Sequence, residues 1–412
     1  MSQLYALEFF VFLVLALVFA AVLGDRRREV ILLATALFGI CASNEYVISG
    51  LLVVSLIAFV AGCWIQQRQP GVARTAVLLV ALASVWSLAV VSARYDWLMD
   101  LGSGLGDGAG DRLLRSGIVA WASRAGVSFL ALRLTSYLVD CLFRDERLGL
   151  GDYLVYLFYF PAFLAGPVDR PWAFRDKLSA WHGPRLSGAI RGADRLLTGL
   201  VKKFVLADIL LPYTLADVAV GHASWTSLAL GALAYSLYIY WEFSGYTDIV
   251  LGASTAIGIE LPENFNRPYL QTDLSAFWRC WHMSFSSWLQ DYLFQPLSLG
   301  LSRSLSPLSA AVSALITTMA VCGLWHGYTM GFLVWGLHHG IGLAAHRLYQ
   351  SILPSRLGRR RYRTLRAQRP YQWAGWAVTF VWVTLGWIWF AMPLADAWRV
   401  CCRLFGFEGG PQ

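Results

Sequence analysis

Apolar runs separated by short polar or glycine-rich breaks recur along the whole 412-residue chain. Many are close to the about 20 residues that carry a helix across a bilayer. They predict elements near 4–23, 30–43, 46–65, 76–98, 118–142, 151–166, 194–220, 225–250, 306–325, 328–349 and 372–394. That is about eleven transmembrane or re-entrant helices in an all-α polytopic membrane protein. Asn44 and Glu45 interrupt what would otherwise be one long run, so a turn is expected there. The stretch GSGLGDGAG at 102–110 has spaced glycines but no strand before it, so it reads as a linker rather than a nucleotide-binding loop.

Composition agrees with a lipid solvent. Apolar residues make up 57% of the chain and charged residues 14%, against roughly 25% charged in soluble domains. No internal repeat and no soluble segment stands out, so one membrane-embedded domain over 1–412 is expected. The first run, Leu4 to Leu23, lacks a basic start and a cleavage site and is followed at once by Arg26, Arg27 and Arg28. This charge order predicts a retained first helix with the N-terminus outside. The seven cysteines show no CxxC pair and lie mostly in apolar runs, where a thiol is a small hydrophobe. Cys401 and Cys402 could accept palmitate, but packing is the simpler role.

The net charge of +8 is concentrated. Arg356, Arg359, Arg360, Arg361, Arg363, Arg366 and Arg369 follow one another with no acid between them. The simplest reading is a cytoplasmic loop obeying the positive-inside rule, in contact with anionic headgroups or an acidic partner. A nucleic-acid partner is not expected in so apolar a chain.

The stretch from Trp241 to Gln295 differs in kind, mixing aromatic residues with Glu242, Asp248, Glu260, Glu263, Asn264, Asn266, Arg267, Arg279, His282 and Asp291. Polar groups at membrane depth cost a few kcal/mol each unless paired or facing a water-filled cavity. The segment therefore builds a cavity or an element lying along the interface. Phe277, Trp281, Phe285 and Trp288 recur at helical spacing, which predicts one helix from Leu274 to Leu293 with Asp273 as its N-cap. An interfacial anchoring helix without chemistry fits the same pattern.

Of the seven histidines, His182 and His222 lie in polar connections, and His346 precedes Arg347 at an expected helix end. His326 stands beside Trp325, between Gly323 and Gly327, where a ligand could approach. An imidazole titrating near neutrality suits removal of a hydroxyl proton, although a histidine bonded inside a helix bundle is the plain alternative. His338 lies twelve residues on, about 120° from His326 around an unbroken helix. No acid or cysteine sits one turn from His326, so no metal site is expected there.

At these residues the sequence resembles the membrane-bound O-acyltransferase superfamily. The likeness is to its bacterial branch, which includes the alginate O-acetyltransferase and the D-alanyl transferase of teichoic acid. It is carried by FYFPAFLAGPVDR (158–170), EFSGYTDIVLG (242–252), LPENFNRPYL (261–270), FWRCWHMSFSSWLQDYLFQPL (277–297) and GLWHGYTMGFLVWGLHHG (323–340), and covers about 120–345. Cys280 departs from it, standing where a second basic residue is common after Arg279. The resemblance implies that His326 is the essential catalytic histidine and His282 a second one. Both would line a tunnel between a cytoplasmic and an external funnel. Trp278, Trp281 and Trp325 would narrow its bore, with Ser284, Gly327 and Asn264 in the lining.

No Ser–His–Asp order is evident, so direct transfer is expected rather than an acyl-enzyme, with no resident cofactor. The donor would be a cytoplasmic acyl thioester, either acetyl-CoA or a phosphopantetheinyl carrier protein. The acceptor would be an envelope polysaccharide or a relay protein outside the plasma (inner) membrane. GPVDR and WHMS resemble the D-alanyl branch. LTSYLVD (134–140), TGLVKKFVLAD (198–208) and LGWIWFAMPLADA (385–397) resemble the polysaccharide acetyltransferases, and acetyl transfer is the expectation. A transporter or flippase would also keep polar residues in a membrane core, but the paired inverted halves typical of many such proteins are not evident. A non-catalytic scaffold of an envelope polymer complex is a third reading.

Overall fold

The computed structural model describes residues 13–14, 45–93, 127–163, 165–215 and 223–407. Apart from residues 13–14, the element expected at 4–23 lies outside them, as do that at 30–43, the glycine-rich linker, Asn44 and His222. The described chain is helical, and it divides into two compact units, 1–197 with 248–262, and 198–247 with 263–412.

In the first unit, α1 (Glu45–Gln67) and α2 (Val72–Ala93) are joined across Pro70 and Gly71. Each contains a stretch long and apolar enough to cross a membrane, at Gly50–Gln67 and Val72–Val90. They pack on α3 (Val127–Asp140), whose described residues are mostly buried. Arg74 at the start of α2 donates to the carbonyls of Cys141 and Leu142, at 3.2 and 2.7 Å, where the end of α3 has no helical partners left.

The element expected over 151–166 is a nine-residue helix, α4 (Leu150–Phe158), followed by a 3-10 turn at Phe160–Ala162. At 1.5 Å per residue it reaches only about 14 Å and does not cross. Arg133, buried within α3, holds that turn by donating to the carbonyls of Leu157 and Ala162. The GPVDR block leads into α5 (Pro171–Ser179). There Asp169 accepts from Lys177 at 2.6 Å and from the Arg170 amide at 2.9 Å.

Helix α6 (Leu186–Val201) crosses the end of α7 (Trp225–Ile257) where glycines meet. A Cβ on Gly192 would stand 2.5 Å from the Gly252 carbonyl oxygen, and one on Gly252 2.6 Å from that of Gly192. Only glycine permits this approach. Arg195 then reaches Asp248 at 3.1 Å. Gly258 closes α7 in the left-handed region, φ 97°, which few other residues adopt.

In the second unit, α8 (Leu274–Cys280), α9 (Met283–Leu289) and α10 (Gln295–Leu301) lead into α11 (Pro307–His326), whose Ser306 side chain caps the Ser309 amide. Helix α12 (Met330–Leu357) returns along α11 with Gly336 against the Met319 carbonyl and Gly323 against that of Phe332. Then come α13 (Arg359–Ala367), α14 (Arg369–Ala391) and α15 (Leu394–Leu404). Helices α11 and α14 complete the four described helices with the length and apolarity of a span.

Two expectations change here. The arginine run is not a loop: α12 continues through Pro354 to Leu357, and after Gly358 the arginines form α13, an element of good helix formers. His346 therefore lies inside α12, not at its end.

Candidate active site

The single helix expected from Leu274 to Leu293 is broken at Trp281 and His282. Asp273 caps α8 as predicted, accepting from the Ala276 amide at 2.7 Å. Trp281 then turns extended, and His282 takes left-handed backbone angles, φ 45° and ψ 52°. A non-glycine residue there is uncommon and survives only where its surroundings fix it.

Asn264 does the fixing. Its side-chain oxygen accepts from the Ser284 amide at 3.2 Å and the Ser284 hydroxyl at 2.6 Å, and its carbonyl accepts from the Met283 amide at 2.9 Å. Phe265 bridges to Trp281, and the Asn266 amide donates to the Cys280 carbonyl at 3.0 Å. The LPENFN strip thus clamps both sides of the turn. Asn264 and Ser284, expected in a tunnel lining, stand behind His282 as its support. Helical periodicity alone could not reveal a break made by residues some twenty positions away.

His282 is buried, 3% exposed, with its ring 4.7 Å from Phe243 and 5.0 Å from Phe285. Phe285 also faces His326, at 6.4 Å, so the two histidines come together at one phenyl ring. His326 ends α11 inside a cage completed by Trp325 at 4.8 Å, Trp335 at 5.2 Å and Phe390 at 5.2 Å. It is half-buried. Its ring meets aromatic carbon rather than an acid or a carbonyl, and no side-chain hydrogen bond holds it among the described residues.

Gly327 keeps a steric duty of its own: a Cβ there would stand 2.4 Å from the Phe332 ring. Of the expected bore residues, Trp325 is in the cage. Trp278 lies behind it, edge-on to Trp335 at 5.8 Å and to His339 at 5.1 Å. Trp281 stacks on Phe277 and meets Trp387 at 5.0 Å. The expected polar lining is divided. Glu242 pairs with Lys203 in the second unit, and Asp248 with Arg195 in the first.

Trp335, Phe390 and His339 join these residues without having been expected from the sequence. The break at Gly327–Thr329 starts α12 anew, and Trp335 packs on His326 while His339, fully buried, packs on Trp335 at 5.2 Å. The repeat of tryptophan and histidine one helical turn apart, Trp335 and His339, was the available signal.

The chain belongs to the membrane-bound O-acyltransferase family, whose model matches residues 72–390. It is 35% identical over 292 residues to the probable alginate O-acetylase AlgI of Azotobacter vinelandii, covering 68% of this chain and 54% of that protein. The peptidoglycan O-acetyltransferase of Helicobacter pylori is 32% identical, over 63% of this chain and 47% of its own length. The teichoic acid D-alanyltransferase of Streptococcus thermophilus is also 32% identical, over 53% and 55%. The chain spans about half the length of the curated relatives it matches.

Proposed function

We propose that this membrane protein transfers an acyl group, acetyl in the first instance, from a cytoplasmic thioester to a hydroxyl on an extracytoplasmic polysaccharide. A periplasmic or extracellular protein that relays the group is an equivalent acceptor. The observation that carries the proposal is the pairing of His282 and His326 at Phe285, with the His326 imidazole partly open and not tied by a side-chain hydrogen bond among the described residues.

In the step proposed, His326 takes the hydroxyl proton as the oxygen attacks the thioester carbonyl. A carbon–oxygen bond forms, the carbon–sulfur bond breaks, and the proton returns from the imidazolium to the leaving thiolate. The aromatic cage keeps bulk water from competing for the acyl group and lowers the local dielectric. His282, on a fixed turn, is placed to hold the acceptor or the developing oxyanion. The donor is acetyl-CoA or an acylated phosphopantetheinyl carrier protein, acting as substrate rather than resident cofactor. The site is a multi-pass protein's meeting point at depth in the plasma (inner) membrane.

D-alanyl transfer is the second reading, favoured by the likeness to the S. thermophilus protein. The experiment is transfer by the purified chain with each donor in turn. His326→Ala should remain folded and lose at least about 100-fold in turnover, the lower range for a general base. A variant retaining a tenth of wild-type turnover removes His326 from that role.

A further inference from the structure

We propose that the second unit carries a binding site for one anionic glycerophospholipid, separate from the aromatic cage. Helices α12, α13 and α14 and the start of α8 enclose a cavity of about 680 Å³, within the roughly 300–1,000 Å³ typical of ligand pockets. Its two ends differ in chemistry, as an amphiphile requires.

At the polar end stand Arg366, His346 and the hydroxyls of Tyr349 and Tyr371, which are 2.9 Å apart. Among the described residues the one acid lining it is Asp273, approached by His346 at 3.5 Å and by Arg366 at 4.0 Å. Asp273 cannot swing away, because its Oδ1 also caps the Ala276 amide. Arg366 is half exposed, and a guanidinium has five donors, so it can take a phosphate while still facing Asp273. Arg359, Arg360, Arg361 and Arg363 on the same helix, with no acid among them, make the surrounding field positive.

At the other end the wall is Leu274, Ala345, Ala374 and Val378. Val378 is 69% exposed on α14, so this apolar end opens along the outer face of a helix fit to span the membrane. Trp382 closes the floor against Gly342. A water-soluble anion has no use for the apolar exit, and a polyphosphate meets the fixed charge of Asp273. The occupant that matches both ends is a lipid with one phosphate.

The test is native mass spectrometry of the purified full chain after incubation with vesicles of phosphatidylglycerol and phosphatidylcholine in equal amounts. Wild type should keep one phosphatidylglycerol and not phosphatidylcholine. Arg366→Gln should cut that retention about tenfold, the value of one hydrogen bond to a charged group. Ala345→Trp should abolish it by filling the cavity from an exposed position. Arg303→Gln, on an exposed turn elsewhere, should leave it unchanged. Equal retention of both lipids, unchanged retention by Arg366→Gln and Ala345→Trp, or displacement of the lipid by acetyl-CoA overturns the proposal. None of these readouts needs acyl transfer, so the site stands or falls apart from the proposed reaction.

Discussion

Each unit of this protein places charged or polar side chains among apolar neighbours, with opposite outcomes. In the first unit Arg133 is 3% exposed and donates to the carbonyls of Leu157 and Ala162, holding a turn that could not otherwise satisfy its backbone. In the second, His326 and His339 stand among aromatic rings. Among the described residues, neither nitrogen of His339 has a hydrogen-bond partner, nor do the indole nitrogens of Trp278 and Trp335. A buried polar group without a partner costs about 1–3 kcal/mol. The requirement is met at Arg133 and left open at His339, beside the residues proposed to do the chemistry. Chemistry needs donors not already engaged.

Arg133→Met should give the largest change in the comparison. It leaves two carbonyls without donors in a buried setting, at about 1–3 kcal/mol each. The expected result is a sharply lower melting temperature in detergent, with turnover per folded molecule within twofold of wild type. A variant that melts normally but turns over slowly would erase the distinction between the units.

His282 comes next, and the backbone dictates how to test it. Alanine in left-handed angles adds strain of roughly 1–2 kcal/mol, whereas asparagine tolerates them. His282→Asn should therefore melt close to wild type and turn over about 10- to 100-fold more slowly, a barrier increase of about 1.4–2.7 kcal/mol. Full activity would remove the imidazole from the site.

The smallest effect is expected at the clamp. Ser284→Ala removes the hydroxyl donor to Asn264, while the Ser284 amide still donates to it. It should cost about 1 kcal/mol of stability and a few-fold in rate at most. A loss as large as that of His282→Asn would mean that Ser284 itself meets substrate.

Much of the fold was legible because its signals are local. Apolar length marked Glu45–Gln67, Pro307–His326 and Arg369–Ala391, and Asp273 announced its cap. The histidines stood out as polar residues in an apolar setting. What stayed hidden is tertiary. The turn at His282 is imposed by Asn264 and Phe265 from another stretch of chain, against a run of residues that reads as one helix. The helix in the arginine run was missed because clustered charge suggested a solvated loop, although arginine is a good helix former. Phe390 joins the cage through the packing of α14, which no local spacing encodes.

Whether His326 moves the proton in a direct transfer is decided by one single-turnover measurement. Purified wild type and His326→Gln are mixed with acetyl thioester and hydroxyl acceptor. Acetylated acceptor, free thiol and intact protein mass are then followed together. The account predicts that wild type releases thiol and acetylated acceptor in step with no acetyl on the protein. It predicts that His326→Gln, similar in size but unable to take the proton, falls at least about 100-fold in both. An acetylated protein that forms and decays at the turnover rate, or a His326→Gln variant that keeps pace with wild type, would contradict it.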